Sequence, residues 1–169
     1  NYYESFRKEN NFKIKKENAV LSYHCIVYEA VLPENHWYNW KNTGSKIISN
    51  GCHWIDHFLF LNNYNKVKKA DAKYFNNLDI LVTLELENSA VFSLILTCNG
   101  SGRLGVRDYI EITNTNCTAR IYDNHKYISE NKYKIIRKSK QKNKYSNLTD
   151  MYQKIAYCIK NNDKGDDFK

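Results

Sequence analysis

Between Lys66 and Arg137 the chain is cut into short pieces by turn-forming clusters, and this spacing restricts the fold more than any other feature. The pieces Lys66 to Tyr74, Asp79 to Leu86, Ala90 to Cys98, Val106 to Thr113, Thr118 to Tyr122 and Tyr133 to Arg137 are rich in β-branched and aromatic residues, which favour extended backbone. Their separators, among them Asn76-Asn77, Glu87-Asn88-Ser89, Asn114-Thr115-Asn116 and Asp123-Asn124-His125, are as short and turn-prone as hairpins require. The spacing predicts a meander of antiparallel strands.

Upstream, Val20 to Ala30 reads as a further strand, ended by Pro33 and the loop Pro-Glu-Asn-His-Trp. After the turn Asn42-Thr43-Gly44-Ser45, apolar residues at Ile48, Cys52, Ile55 and Leu59 follow helical spacing. They predict an amphipathic helix from Ile48 to Leu61, stopped by Asn62-Asn63. A short helix to Asn10 is expected in the basic opening segment. Lys138 to Lys144 reads as a solvated basic loop, and Ser146 or Asn147 caps a last helix with Leu148, Met151, Ile155 and Ile159 on one side, reaching Lys160. The order predicts a single α+β domain over residues 1–169: a largely antiparallel open sheet of about six strands with helices on one face. The other face is left for solvent or a partner, which points to a homo-oligomer.

With 42% hydrophobic residues the chain can build a core, and disorder is excluded for most of it. Apolar runs such as Ala90 to Leu96 are broken by Ser93 and fall far short of the roughly 20 residues a membrane span needs. Lys plus Arg is 26 against 18 Asp plus Glu, a net charge of +8 that suits an anionic partner. Only Arg7, Arg103, Arg107, Arg120 and Arg137 are arginine, so the guanidinium forks that read bases and phosphates are scarce and no nucleic-acid partner is expected. The five cysteines are widely spaced without a CxxC pair and read as small core residues in a reducing cytoplasm. Sequons at Asn99, Asn116 and Asn147 are unaccompanied by a signal peptide. The first residue is Asn1 and Met151 is the sole methionine, so an upstream segment is expected to be missing.

Three constellations carry possible chemistry. Gly100-Ser101-Gly102-Arg103-Leu104-Gly105 matches GxGxxG, but the alternating VRDYIEITN behind it predicts a strand where a dinucleotide turn needs a helix N-terminus. It reads as a connection between strands, not a cofactor loop. His53, Asp56 and His57 are three and four residues apart on the predicted helix; no further ligand is near in sequence, so no metal is expected. They read either as an acid-base group or as a solvent-facing polar edge. His36-Trp37-Tyr38-Asn39-Trp40 is either a sugar-stacking wall or a hydrophobic plug.

The run Gly44-Ser45-Lys46-Ile47-Ile48-Ser49-Asn50-Gly51-Cys52-His53-Trp54-Ile55-Asp56, followed by Phe58-Leu59-Phe60-Leu61, resembles the C-terminal domain of the Gfo/Idh/MocA oxidoreductases, where a glycine-rich turn precedes a helix carrying H-x-x-D. The likeness extends over Val20 to Lys160, through Leu32-Pro33-x-x-His36-Trp37 before the helix and Arg107-Asp108-Tyr109-Ile110-Glu111-Ile112 after it. Two positions depart from the pattern: Ser45 stands for the second glycine, and Ser49 for an aspartate four residues before the histidine.

The resemblance implies a glyceraldehyde-3-phosphate-dehydrogenase-like C-terminal fold and an oxidoreductase moving hydride between NAD or NADP and a sugar, cyclitol or nucleotide-sugar. It implies that an N-terminal Rossmann domain, absent from this chain, holds the cofactor and a catalytic lysine, so that the fragment alone is inactive. His53 matches the family's active-site histidine, a proton-transfer group. Asp56, Asn50, Ser49, Lys46, His36 and Trp37 are the expected substrate-side residues, with Asp56 an orienter. The alternative from another class is a non-catalytic basic module whose open sheet face takes an acidic partner.

Overall fold

A computed structural model of the chain describes residues 21–75, 78–101, 106–123, 125–140 and 146–162, with backbone alone at 146–151. The expected opening helix, Gly102 to Gly105, the apolar positions Leu148 and Met151, and most of the tail lie outside what is described. The strands are β1 (Ser22–Tyr28), β2 (Val67–Tyr74), β3 (Ile80–Leu86), β4 (Val91–Thr97), β5 (Arg107–Thr113), β6 (Cys117–Tyr122), β7 (Lys126–Asn131) and β8 (Ile135–Lys140). A π-helical turn, Ile47–Gly51, runs into helix α1 (Cys52–Leu61), and α2 (Ser146–Lys160) closes the order. All eight strands form one sheet in the order β2-β3-β4-β1-β5-β6-β7-β8.

The class and the largely antiparallel character are as expected; the strand count and the single meander are corrected. There are two meanders, β2-β3-β4 and β5-β6-β7-β8, with β1 between them, parallel to β4 and antiparallel to β5. Residues 98–106, read as a simple connection, therefore join strands separated by β1. Strand β7 escaped prediction because its alternation is inverted: polar Ser129 is fully buried, while Ile128 lies on the opposite face beside Arg120 and Lys138. Lys138 and Lys140, expected in a loop, pair with Ile128 and Lys126 in the edge strand β8. Lysines there and in the other edge strand β2 discourage pairing with further chains.

Period-2 alternation puts Tyr23, Cys25 and Val27 of β1 on the covered face, with Phe92, Leu94 and Leu96 of β4 and Ile110 and Ile112 of β5 beside them. Helix α1 lies on this face. Its buried residues are Trp54, Phe58 and Leu61, whereas Ile48 and Cys52 of the predicted stripe are exposed and Ile55 and Leu59 half-buried. The helix is real, but its covered face is Ile47, Gly51, Trp54, Phe58 and Leu61, the same helical spacing set one position earlier. The two aromatics also bury more area than Cys52 and Ile55 would.

Burial foremost, with Asp108 second, pushes the Cys25 thiol up and leaves it inert. Cys25 and Cys117 are core residues as expected; Cys52 is exposed, and Cys98 and Cys158 are half-buried.

The opposite face carries His24, Ile26, Tyr109, Glu111 and Arg120 in register across β1, β5 and β6. Arg120 bridges Glu111 at 2.8 Å and also reaches Glu130, and Tyr109 donates to Glu111 at 3.0 Å. The Arg120 hydrogen bond is the main cause holding Glu111 below the usual carboxylate range.

Phe58 is fully buried with ring centroids 6.1 Å from Tyr23 and 5.2 Å from Phe92. Replacing it by alanine leaves a cavity between the helix and strands β1 and β4, so Phe58→Ala is expected to cost about 3–5 kcal/mol in urea unfolding.

Candidate functional site

Gly44 sits in a left-handed conformation at φ +77°, which lets the loop reverse into the helix. The carbonyl of Ser45 then accepts from the backbone N–H of Ile48 and of Ser49, each at 2.9 Å, and from Ser49 Oγ at 3.2 Å. Gly51 presses against the sheet: a Cβ there would meet Leu94 Cδ2 at 3.3 Å. The helix start is thereby seated on β4, at the carboxyl end of β1.

Two side-chain bonds tie this turn to the loop that follows β1. Asn50, buried, donates through Nδ2 to Glu29 Oε2 at 3.0 Å, and Glu29 is itself anchored by its N–H on the Thr97 carbonyl at 3.0 Å. Tyr38 donates its hydroxyl to the Ser49 carbonyl at 3.3 Å. Burial, with help from Glu29 and Cys52, pushes the Tyr38 phenol above its ordinary range, so it stays a neutral donor.

The aromatic loop is ordered by its own polar groups. Asn39 Nδ2 donates to the Pro33 carbonyl at 2.8 Å, Thr43 Oγ1 to the Tyr38 carbonyl at 2.9 Å, and His36 Nδ1 accepts from the Tyr38 N–H at 3.2 Å. The Trp37 and Tyr38 rings lie 4.3 Å apart, with His36 5.7 Å from each. Trp37 is 52% exposed and Trp40 58%. Both indoles are thus open to solvent in this chain.

His53 is exposed at the first turn of α1, its ring edge-on to Trp54 at 6.2 Å. Asp56 is exposed one turn on and accepts from the Tyr64 hydroxyl at 3.1 Å, a bond that holds the end of the helix rather than the loop. Lys46 is exposed and makes no hydrogen bond or ion pair among the described residues. His57, although four residues from His53, is half-buried. Among the described residues no group of three or more His, Cys, Asp or Glu is placed to hold a metal ion.

No sequence family and no curated protein matches the chain at the sequence level. Solved structures match its fold. A dehydrogenase (MviM) from Clostridium difficile superposes with a TM-score of 0.63 over 95% of this chain and 53% of its own, at 15% identity. UDP-N-acetylglucosamine 3-dehydrogenase GnnA from Acidithiobacillus ferrooxidans gives 0.64 over 92% and 49%, at 12% identity. Levoglucosan dehydrogenase, solved with NADH and levoglucosan, gives 0.58 over 82% and 42%, at 13% identity.

The fold is that of a Gfo/Idh/MocA C-terminal domain. The chain spans about half the length of these structures. Within this Gfo/Idh/MocA-type fold, the loop and the helix start bring His36, Trp37, Ser49 and Asn50 together, with His53 on the next turn. Asp56 is turned to Tyr64, and Lys46 stands apart from any polar partner. Sequence reasoning passed over Glu29, and took Tyr38 only as one ring of the aromatic loop. The available signal was position: Glu29 directly follows the carboxyl end of a strand, where open sheets hold their ligands.

Burial pushes His57 down to about 4 from 6.5, with Asp56 opposing and His53 adding to the shift. The unfolded chain takes up this proton more readily, so the stability tied to the neutral ring is present above 6.5 and is lost as the pH falls toward 4. Urea melts over that window are expected to show the decline, and His57→Leu to flatten it; an equally steep decline in the variant assigns it to other groups.

Proposed function

We propose that this chain is the substrate-binding and oligomerisation domain of an oxidoreductase that moves hydride between NAD or NADP and a sugar, cyclitol or nucleotide-sugar. The observation that carries this reading is the junction itself. An exposed histidine opens a helix whose first turn is tied to an exposed aromatic wall through Tyr38 to Ser49 and Asn50 to Glu29. Aromatic faces beside oriented polar groups suit the apolar faces and hydroxyl rim of a sugar ring.

In this reading His53 exchanges a proton with the substrate hydroxyl, as an exposed imidazole within hydrogen-bond reach of it can. Trp37 and His36 supply the wall, Ser49 and Asn50 the helix-start polar groups, and Lys46 a mobile cation at the rim. Asp56 steadies the helix through Tyr64.

The glycine motif is read here as no dinucleotide loop, since strand β5 follows it from Arg107 and no helix starts there among the described residues. NAD or NADP is therefore assigned to a Rossmann domain preceding this domain in the whole protein, and the domain alone is inactive. A second copy covers the open sheet face, where Ile26, Val91 and Ile95 stand exposed beside the Arg120 ion pairs. A cytoplasmic setting, a small-molecule substrate and no nucleic-acid or membrane partner complete the proposal. No helix among the described residues is long and apolar enough to cross a membrane.

In NAD(P)-linked assays of the complete encoded protein, His53→Ala is expected to lower kcat by about 100- to 10,000-fold, with substrate affinity changed far less. An unchanged kcat removes His53 from the chemistry. Ile26→Asp is expected to shift the sedimentation velocity of the protein toward a smaller species; an unaltered oligomer would place the interface elsewhere.

A further inference from the structure

We propose that Glu29 contacts the substrate, accepting a hydroxyl or ammonium donor of the bound ring, and that it selects neutral and amino-substituted polyhydroxylated compounds over uronates. This rests on the sugar-site reading above and adds to it a residue and a charge preference.

Several half-buried carboxylates of the chain carry a cationic partner, whereas Glu29, like Asp79, is held by an asparagine amide. Glu85 is paired with Lys68, Asp123 with Arg107, and Glu111 and Glu130 with Arg120. Glu29 has no cationic partner among the described residues, in a chain whose net charge is +8. Nor is it a solvated side chain left to itself. Its backbone is pinned on Thr97, and Oε2 is held by the buried Asn50 amide at 3.0 Å.

A carboxylate offers about four acceptor positions on two oxygens. Asn50 fills one, and Oε1 accepts from no described residue. The carboxylate is thus oriented on one side and open on the other, close enough to the Tyr38 phenol to oppose its ionisation. Its neighbours in the structure are the turn that carries Asn50 and the Tyr38 phenol, whose ring lies against Trp37. A ring lying on the wall presents O–H or N–H donors at its rim, which a fixed anion receives as charge-assisted hydrogen bonds. A ring bearing its own carboxylate meets like charge there.

The sequence departure at Ser49 adds to this argument. The helix start has no carboxylate of its own between Gly44 and Cys52, and Glu29 brings one to the same turn from the end of β1.

The test is Glu29→Gln in the complete encoded protein, titrated by ligand-observed NMR with D-glucose, D-glucosamine, myo-inositol and D-glucuronate at neutral pH. Glutamine keeps the oxygen that accepts from Asn50, so the variant should melt with the wild type. The wild type is expected to bind glucosamine more tightly than glucuronate, and Glu29→Gln to narrow that ratio by about 10- to 100-fold. A merely structural role moves both affinities together and leaves the ratio alone. A ratio unchanged in the variant, or a wild-type preference for glucuronate, overturns the role of Glu29 while leaving the sugar site standing. Failure of the wild type to bind any of the four overturns the sugar reading, and this inference with it.

Discussion

The parallel pairing of β1 with β4 is the constraint around which the domain is arranged. Antiparallel neighbours can be joined by a tight turn, whereas parallel strands need a long crossover. Here the crossover is residues 29–90, and it contains the aromatic loop, the π turn, α1 and the first two strands of a meander. Placing β1 at the centre therefore forces α1 over the sheet, with Phe58 against both Tyr23 and Phe92. It also forces the chain leaving β1 past the start of that helix, which brings Glu29 to Asn50.

The candidate site is thus a consequence of packing. Gly51 has no side chain to keep the helix start away from Leu94, so the first turn sits low on β4. That closeness buries Asn50, whose amide then requires a partner and finds the Glu29 carboxylate. His53, three residues beyond Asn50, is carried out to the exposed side of the next turn.

The uncovered face obeys a different rule. Its apolar residues are scattered among charged ones, and the ladder Glu111, Arg120, Glu130 runs across three strands. Partly exposed ion pairs contribute little to stability by themselves.

Much of the fold was legible from local pattern. The strands from Val67 to Thr113 and the helix ending at Asn62 follow from period-2 and period-3.6 spacing punctuated by asparagine and glycine, because these signals depend only on neighbours along the chain. The aromatic loop and the histidine were likewise visible as local runs, and the family resemblance placed them in the right kind of domain. Strand β7 was not legible, since buried Ser129 and outward Ile128 reverse the usual alternation. The insertion of β1 between β4 and β5 was not legible either: alternation says that a strand has one covered face and is silent on its neighbours. Which side of α1 is covered was settled by Trp54 and Phe58 meeting the sheet, and the meeting of Glu29 with Asn50 joins positions 21 residues apart. Local propensity settles which segments extend and which coil. Which side chains then share a site follows from how the crossover closes over the sheet, a long-range packing solution that no stretch of neighbouring residues contains.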